Sequence, residues 1–237
     1  MNNQLNFGDK TILVTGGTSG IGLAIARAFR AAGADVIAAG LASDPVFETE
    51  IRREDLQVTD DQSVERLLEQ IPRLDVLVNA AGIIRRDAEF TLTKFAEVID
   101  VNLAGVMRMC VSARVKLAET NGCIVNLASM YSIFGAPRAP AYAASKGAVA
   151  QLTKSLAVAW APERIRVNAV APGWVATPLT KALQDDEART AAILTRVPMG
   201  RWATPEDIAG PVLFLASDLA SFVTGAVLPV DGGYSSC

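Results

Sequence analysis

The chain has 237 residues, 51% of them apolar and 20% charged, a net charge of -3 and no histidine. That composition supports a large core and excludes disorder, and with no run of Lys or Arg it argues against nucleic acid or an anionic membrane surface as a partner. The absence of histidine removes every Ser-His-Asp or Cys-His nucleophile and every His-ligated metal site, so no metal is expected and proton chemistry falls to Tyr, Lys, Asp, Glu or Cys.

Thr11–Thr15 (TILVT) predicts a buried strand, and residues 21–32 a helix with Ile21, Ile25, Ala28, Phe29 and Ala32 on one side. Residues 36–39 predict a second strand and residues 56–58 a weaker third. Asp60 or Asp61 then begins a helix over 63–71, and residues 76–79 (VLVN) form a fourth strand. A long helix is expected over 93–119, with Asn102 near its middle. Cys123–Leu127 predicts a fifth strand, 142–160 a helix and 167–170 a sixth strand. Thr204-Pro205-Glu206-Asp207 opens another helix with an N-cap, Pro at the first position and acids in the first turn. Val227–Val230 supplies a last strand.

Strands alternating with amphipathic helices predict a parallel sheet covered on both faces. No break rich in Pro, Ser or charge divides residues 1–237, and no repeat is visible. The expectation is one α/β domain, a Rossmann-like, doubly wound sheet of about seven strands. No apolar stretch approaches the roughly 20 residues of a membrane span, and the polar start MNNQLNFGDK carries no targeting core. A cytoplasmic location is expected. Cys110, Cys123 and Cys237 are odd in number and widely spaced, which argues against a disulfide framework and for buried small hydrophobes at the first two.

Thr15-Gly16-Gly17-Thr18-Ser19-Gly20-Ile21-Gly22 lies where the first strand hands over to the first helix. Glycines there let the backbone turn sharply and approach a pyrophosphate, whose charge meets the helix N-terminus; an ordinary Gly-rich turn is the competing reading. The spacing is neither GxGxxG nor a P-loop, since no Lys-Ser or Lys-Thr follows the last glycine. Tyr142 and Lys146 stand at i and i+4, on one helix face. A phenol is a poor base at neutral pH, and a nearby ammonium is expected to favour phenolate, as a bound nicotinamide cation would too.

TGGTSGIG resembles the TGxxxGIG loop of the short-chain dehydrogenase/reductase family, and the likeness extends over nearly the whole chain. Asn79-Ala80-Ala81-Gly82 resembles the family's NNAG motif, with Ala80 in place of the second Asn. Ser129, Tyr142 and Lys146 match its catalytic Ser and YxxxK, with Asn102 at the family's spacing upstream. Pro172-Gly173 with Thr177 resembles its PGxxxT segment and Val230-Asp231-Gly232-Gly233 its carboxyl-terminal VDGG. The resemblance implies an oxidoreductase that moves a hydride between a nicotinamide cofactor and a secondary alcohol or ketone. Tyr142 is then the proton-transfer group, Ser129 holds the substrate oxygen, Lys146 also binds the nicotinamide ribose and Asn102 anchors a water in a proton relay. It places the cofactor against Gly16, Thr18, Ser19, Gly20, Ile21 and Gly22. Further contacts are Gly40, Leu41 and Val58, then Asn79, Ala80, Ala81 and Gly82, and last Pro172, Gly173, Val175 and Thr177. It also implies a homotetramer or homodimer, with the helices around 93–119 and 142–160 at subunit contacts.

Gly40 stands where NAD-preferring relatives carry Asp, and Leu41 where NADP-preferring ones often carry Arg. Ser19 replaces the basic loop residue of many NADP enzymes, and Gln57 an Asp that contacts adenine. Residues 42–53 are too short and Pro-broken for the usual helix, with Asp44 a candidate ribose contact. With no fixed cation for a 2′-phosphate, NAD is the preferred reading and NADP the alternative.

Ile83-Ile84-Arg85-Arg86, Ala128-Ser129-Met130 and Pro198-x-Gly200-Arg201-Trp202 resemble the sugar-acid dehydrogenases of the family, which act on ketone forms of deoxygluconate-type acids. An Arg fork at Arg85 and Arg86, or Arg138 before the catalytic Tyr, suits a carboxylate; the other reading is a solvated pair or a subunit contact. Met130, Ile133, Phe134 and Trp174 are the remaining pocket candidates, with a substrate loop over about 174–200 that reads as a lid. The rival enzyme reading is a 3-oxoacyl reductase. A nucleotide-binding protein without turnover is a third reading, which the presence of both Tyr142 and Lys146 disfavours.

Overall fold

The computed structural model describes residues 5–41 and 50–236; Asp44 and Cys237 lie outside the described residues. One seven-stranded sheet runs in the order β3-β2-β1-β4-β5-β6-β7, every pairing parallel. The strands are β1 (Thr11–Thr15), β2 (Asp35–Ala39), β3 (Arg52–Glu54), β4 (Val76–Asn79), β5 (Cys123–Leu127), β6 (Arg166–Pro172) and β7 (Val227–Val230). The order reverses between β1 and β4, the switch point at which open parallel sheets bind ligands.

Alternation along the strands sorts the core into two layers. Leu13, Ile37, Leu77 and Ile124 face one side, where they meet helices α2 (Asp61–Glu69), α4 (Gly105–Thr120) and α5 (Pro140–Trp160). Ile12, Val14, Val36 and Val78 face the other, against Ile25 and Phe29 of α1 (Gly20–Ala31) and Ile208 and Val212 of α8 (Pro205–Ala216). Burial on both faces is why β1, β4 and β5 read as continuous apolar runs. Asp60 caps α2 through the amide of Gln62, and Thr204 caps α8 in a capping box with Asp207.

Two expected elements differ. The third strand is Arg52–Glu54 rather than 56–58: charged residues make a short sheet edge, while Leu56 and Val58 turn into the core beside it. The long helix expected over 93–119 is two, α3 (Leu92–Ile99) and α4, joined by a π-helical turn over Asp100–Ala104. The chain stays helical through the wide turn and no Pro or Gly marks its start, so the sequence reads as one continuous helix. Residues 174–200 carry the short helices α6 (Lys181–Gln184) and α7 (Glu187–Leu194). No described helix is long and apolar enough to cross a membrane.

Candidate active site

Register brings the motifs to one edge. Thr15 pairs with both Ala39 and Asn79, and Asn79 with Asn126, so the loops after β1, β2, β4 and β5 leave the sheet at the same level. Tyr142 and Lys146 share a small cleft with Ser129, Ala80, Gly82 and Pro172. Gly82 also lines a second cavity, of about 490 Å³, that extends along the glycine loop to Gly40, Leu41 and Val58. A larger cavity of about 640 Å³ sits at the opposite ends of the strands. Among its polar side chains, Asp75 holds Lys10 and Arg73, and Arg166 donates to carbonyls at the end of α8.

Lys146 is buried, its Nζ 5.7 Å from the centre of the Tyr142 ring and 2.6 Å from the carbonyl oxygen of Leu127, to which it donates. Burial pushes the Tyr142 phenol up to about 12, opposed by the hydroxyl of Ser129, which hydrogen-bonds to it, and by the charge of Arg86. Burial likewise pulls the Lys146 ammonium down to about 8. The phenol, expected to be depressed, stands instead above its ordinary value, because desolvation of the phenolate outweighs the Ser129 hydroxyl and the Arg86 charge. Ser129 is itself fixed as the N-cap of a short turn, its Oγ accepting from the amide of Tyr131 at 3.1 Å.

Asn102 lies in the π-helical turn, fully buried, and its amide group clamps one residue of the loop after β4. Its Oδ1 accepts from the Ile83 amide at 2.8 Å and its Nδ2 donates to the Ile83 carbonyl at 2.9 Å. Asn79 is turned beneath the cleft, its Nδ2 donating to Asn126 at 2.9 Å, so it underpins the site without lining it. Gly22 also lies behind the cleft surface. A Cβ there would stand 2.1 Å from the Gly16 carbonyl oxygen, and one at Gly16, whose φ is +65°, 2.7 Å from the Ala81 amide. These two glycines answer first to the packing of the protein's own backbone.

The three candidate arginines separate. Arg85 is drawn to Glu97, at 2.9 Å, and Arg138 forms a two-pronged pair with Asp87. Arg86 reaches toward the carbonyl of Leu179 at 3.4 Å and acts electrostatically on both Tyr142 and Tyr131. Met130 is buried beneath the site with Val197 and Tyr234. Trp174 meets Tyr131 edge to face at 6.1 Å, and Tyr131 meets Tyr142 in the same way at 6.3 Å, which extends an aromatic wall from the phenol to the 174–200 segment.

Residues 16–235 match the family described as enoyl-(acyl carrier protein) reductase. A 2-dehydro-3-deoxy-D-gluconate 5-dehydrogenase of Bacillus subtilis is 41% identical, over 96% of this chain and 95% of its own. A 3-oxoacyl-[acyl-carrier-protein] reductase of Thermotoga maritima is 42% identical, over 94% and 97%. The crystal structure of a putative NAD(P)-dependent gluconate 5-dehydrogenase from Beutenbergia cavernae, with bound NADP, superposes with a TM-score of 0.91 at 42% identity, covering 99% of this chain and all of that one. The chain belongs to the short-chain dehydrogenase/reductase family. It is an NAD(P)-dependent oxidoreductase.

The residues of this dehydrogenase/reductase fit a dinucleotide. Ser19 caps α1 without a side-chain hydrogen bond and no acid occupies the first turn, so the leading amides of the helix remain available to an anion. At Gly20 an added Cβ would meet only Thr177, 3.8 Å away, across the cleft. Sequence reasoning missed two residues of the site. Tyr131 carries no motif of its own. Glu89, 1% exposed, is an acid in a short 3-10 turn (Ala88–Phe90) whose carboxylate is recognised only by what it touches, the amides of Arg85 and Tyr142.

Proposed function

We propose that this enzyme interconverts the ketone and secondary alcohol of a small sugar acid of the deoxygluconate kind, with NAD preferred over NADP. The observation that carries the reading is the convergence of Tyr142, Ser129 and Lys146 in one cleft, with the Arg86 guanidinium near enough to act electrostatically on the phenol. The nicotinamide cofactor supplies or accepts the hydride when bound. Tyr142 Oη gives its proton to the substrate oxygen in reduction and takes one back in oxidation, Ser129 Oγ holds that oxygen, and Lys146 lies behind the phenol for the ribose. Asn102 acts by fixing Ile83, and through it the floor of the site. The dinucleotide is assigned to Thr18, Ser19, Gly20 and Ile21 at its phosphates and to Gly40, Leu41 and Val58 at its adenosine. Ala80, Ala81 and Gly82, then Pro172, Gly173, Val175 and Thr177, complete its path.

The preference for NAD rests on Gly40 and Leu41. Leu41 is 73% exposed and presents an apolar surface where a 2′-phosphate needs a cation, and Arg85, the guanidinium on that cavity's rim, is held by Glu97. The carboxylate of the substrate is assigned to Arg86, with residues 174–200 as the substrate loop of a one-domain enzyme. The Thermotoga relative supports a second reading, reduction of 3-oxoacyl groups.

Subunit contact through α4 and α5 is supported by apolar side chains turned outward, Val115 at 68% exposure on α4 and Val158 at 80% on α5, in a homotetramer or homodimer. Buried, unpaired Cys110 and Cys123 agree with a reducing, cytoplasmic location. A panel of sugar acids, 3-oxoacyl esters and neutral secondary alcohols, assayed with both cofactors, tests the reading. The expected result is highest kcat/KM on a sugar acid with NAD; preference for 3-oxoacyl esters overturns it in favour of the second reading.

A further inference from the structure

We propose that Glu89 is the positioning residue of the catalytic tyrosine: its buried carboxylate, borne on the loop after β4, caps α5 at Tyr142's own amide and fixes where the phenol is presented. The inference rests on Tyr142 as the proton-transfer group.

Helix α5 begins without a cap of its own. Its N-cap residue is Ala139, which has no side-chain acceptor, and Pro140 and Ala141 follow it. Tyr142 is therefore the third helical residue, whose amide a Ser, Thr or Asp at the N-cap would ordinarily take. Glu89 takes it instead, Oε2 accepting from the Tyr142 amide at 2.9 Å from 53 positions away in sequence. Oε1 accepts from the Arg85 amide at 2.7 Å. The carboxylate is 1% exposed and sits at the positive end of the helix. Burying a carboxylate is costly where a local Ser or Asp would cap the same amide with little desolvation. What the distant carboxylate adds is a link: it joins the main chain of Tyr142 to that of Arg85, so Arg86, the next residue, is held in register with the phenol.

The same strip is fastened twice more. The Asp87 amide donates to the Arg138 carbonyl at 2.7 Å, and Asn102 clamps Ile83. Glu89 differs from these ties in two respects: it bonds to the residue that carries the proton, and its negative charge acts on that phenol. The groups that act on the Tyr142 phenol are the Ser129 hydroxyl, Arg86, Tyr131 and Glu89, with the Lys146 ammonium over the ring; Glu89 disfavours phenolate while Ser129 and Arg86 favour it.

The test is Glu89→Gln in the cofactor-loaded enzyme, with Glu89→Asp and Tyr142→Phe alongside. Glutamine keeps one acceptor and loses the charge. Hydrogen exchange at the Tyr142 or Arg85 amide is expected to accelerate about 10-fold or more while the rest of α5 keeps its protection. kcat is expected to fall about 10-fold or more with cofactor Kd unchanged. The pH of half-maximal alcohol oxidation moves downward, because a negative charge has left the phenol. Glu89→Asp keeps the charge but is one methylene short, so kcat falls without that downward movement; it also serves if the Gln variant does not fold. Unchanged exchange at both amides overturns the cap whatever the kinetics. Faster exchange with wild-type kcat and an unmoved pH midpoint overturns the positioning role. A Tyr142→Phe enzyme that still turns over removes the catalytic reading, and the positioning role with it, while the exchange result still decides the cap.

Discussion

The ammonium of Lys146 stands 5.7 Å from the centre of the Tyr142 ring and donates to the main-chain carbonyl of Leu127, so the pair meets through the ring face. Burial moves the two groups in opposite senses, the phenol up to about 12 and the ammonium down to about 8, each toward its neutral form. At neutral pH the phenol therefore keeps its proton while the ammonium still carries its charge at a desolvation cost, the two being perturbed together as at a site of proton transfer.

That arrangement is costly at neutral pH, and Lys146→Met is expected to show it. Between pH about 8 and 10.5 the unfolded chain holds the Lys146 proton and the folded protein does not, so stability rises with pH across that window and the penalty is fully present below it. The difference corresponds to on the order of 3 kcal/mol. Tyr142 acts oppositely: between pH 10 and about 12 only the folded state keeps the phenol proton, so stability falls as pH rises there. Lys146→Met is expected to raise Tm at pH 7 while abolishing turnover, and calorimetry from pH 7 to 10 is expected to show the gain shrinking. A lower Tm at pH 7 would mean that the bond to Leu127 outweighs desolvation.

Tyr142→Phe removes Oη and leaves the ring that packs against Tyr131 and Lys146. kcat is expected to fall about 100- to 10,000-fold, the usual worth of general acid–base catalysis, with cofactor binding retained in a fluorescence titration. Near-normal turnover would assign the proton to another group.

The sequence carried the site's chemistry better than its supports. Strands β1, β4 and β5 are legible because both faces of the sheet are buried, whereas β3 is not, because Arg52 and Arg53 lie at an edge and bear no apolar signal. Tyr142 and Lys146 are brought together by helix spacing, a local property, and Ser129 follows directly on β5, whose apolar run is itself readable. The partners of Arg85, Arg138 and Glu89 lie 12, 51 and 53 positions away, and no periodicity encodes them. The π-helical turn at Asn102 is hidden for a related reason, since its purpose is a bond to Ile83 on another segment.

Those long-range partners divide the arginines. Arg86→Ala is expected to raise KM for carboxylate substrates about 10-fold or more and to leave neutral ketones much less affected, the worth of a charge-assisted hydrogen bond. Arg85→Ala, which breaks the pair with Glu97, is expected to affect both substrate classes equally. Steady-state kinetics on matched acid and neutral ketones checks both, and an Arg86 variant with equal effects would detach the carboxylate from this residue.

Cofactor choice is expected to turn on the rim formed by Gly40 and Leu41. Titration should give a lower Kd for NADH than for NADPH. Leu41→Arg should improve NADPH binding about 10-fold by supplying a cation at an exposed position without disturbing the core. The reciprocal change is harder: a Cβ at Gly40 would come within 2.8 Å of the Thr18 hydroxyl, so Gly40→Asp is expected to weaken both cofactors unless Thr18 is reduced to Ala. A Gly40→Asp enzyme with tighter NADH binding would show that Thr18 yields readily.

Asn102→Ala tests whether the π-helical turn serves the site through Ile83. Truncation leaves the part-buried main-chain N–H and C=O of Ile83 without their partners at 2.8 and 2.9 Å, and strips the buried Ser145 Oγ of a donor at 3.2 Å. A fully buried group left unsatisfied costs about 1–3 kcal/mol, and a part-buried one falls toward the lower end. The loss of stability should therefore be about 2–5 kcal/mol by denaturant titration, large for a single polar residue. Because Ile83 precedes Arg85, Arg86 and Glu89 on the same strip, kcat should fall as well, and KM for acid substrates should rise. Asn102→Asp separates the parts: it keeps an acceptor for the Ile83 amide but turns the group facing the Ile83 carbonyl into a second acceptor. It should therefore lose stability at neutral pH and recover part of it as the pH falls and the acid becomes a donor. A stability loss without any kinetic change would confine Asn102 to the scaffold.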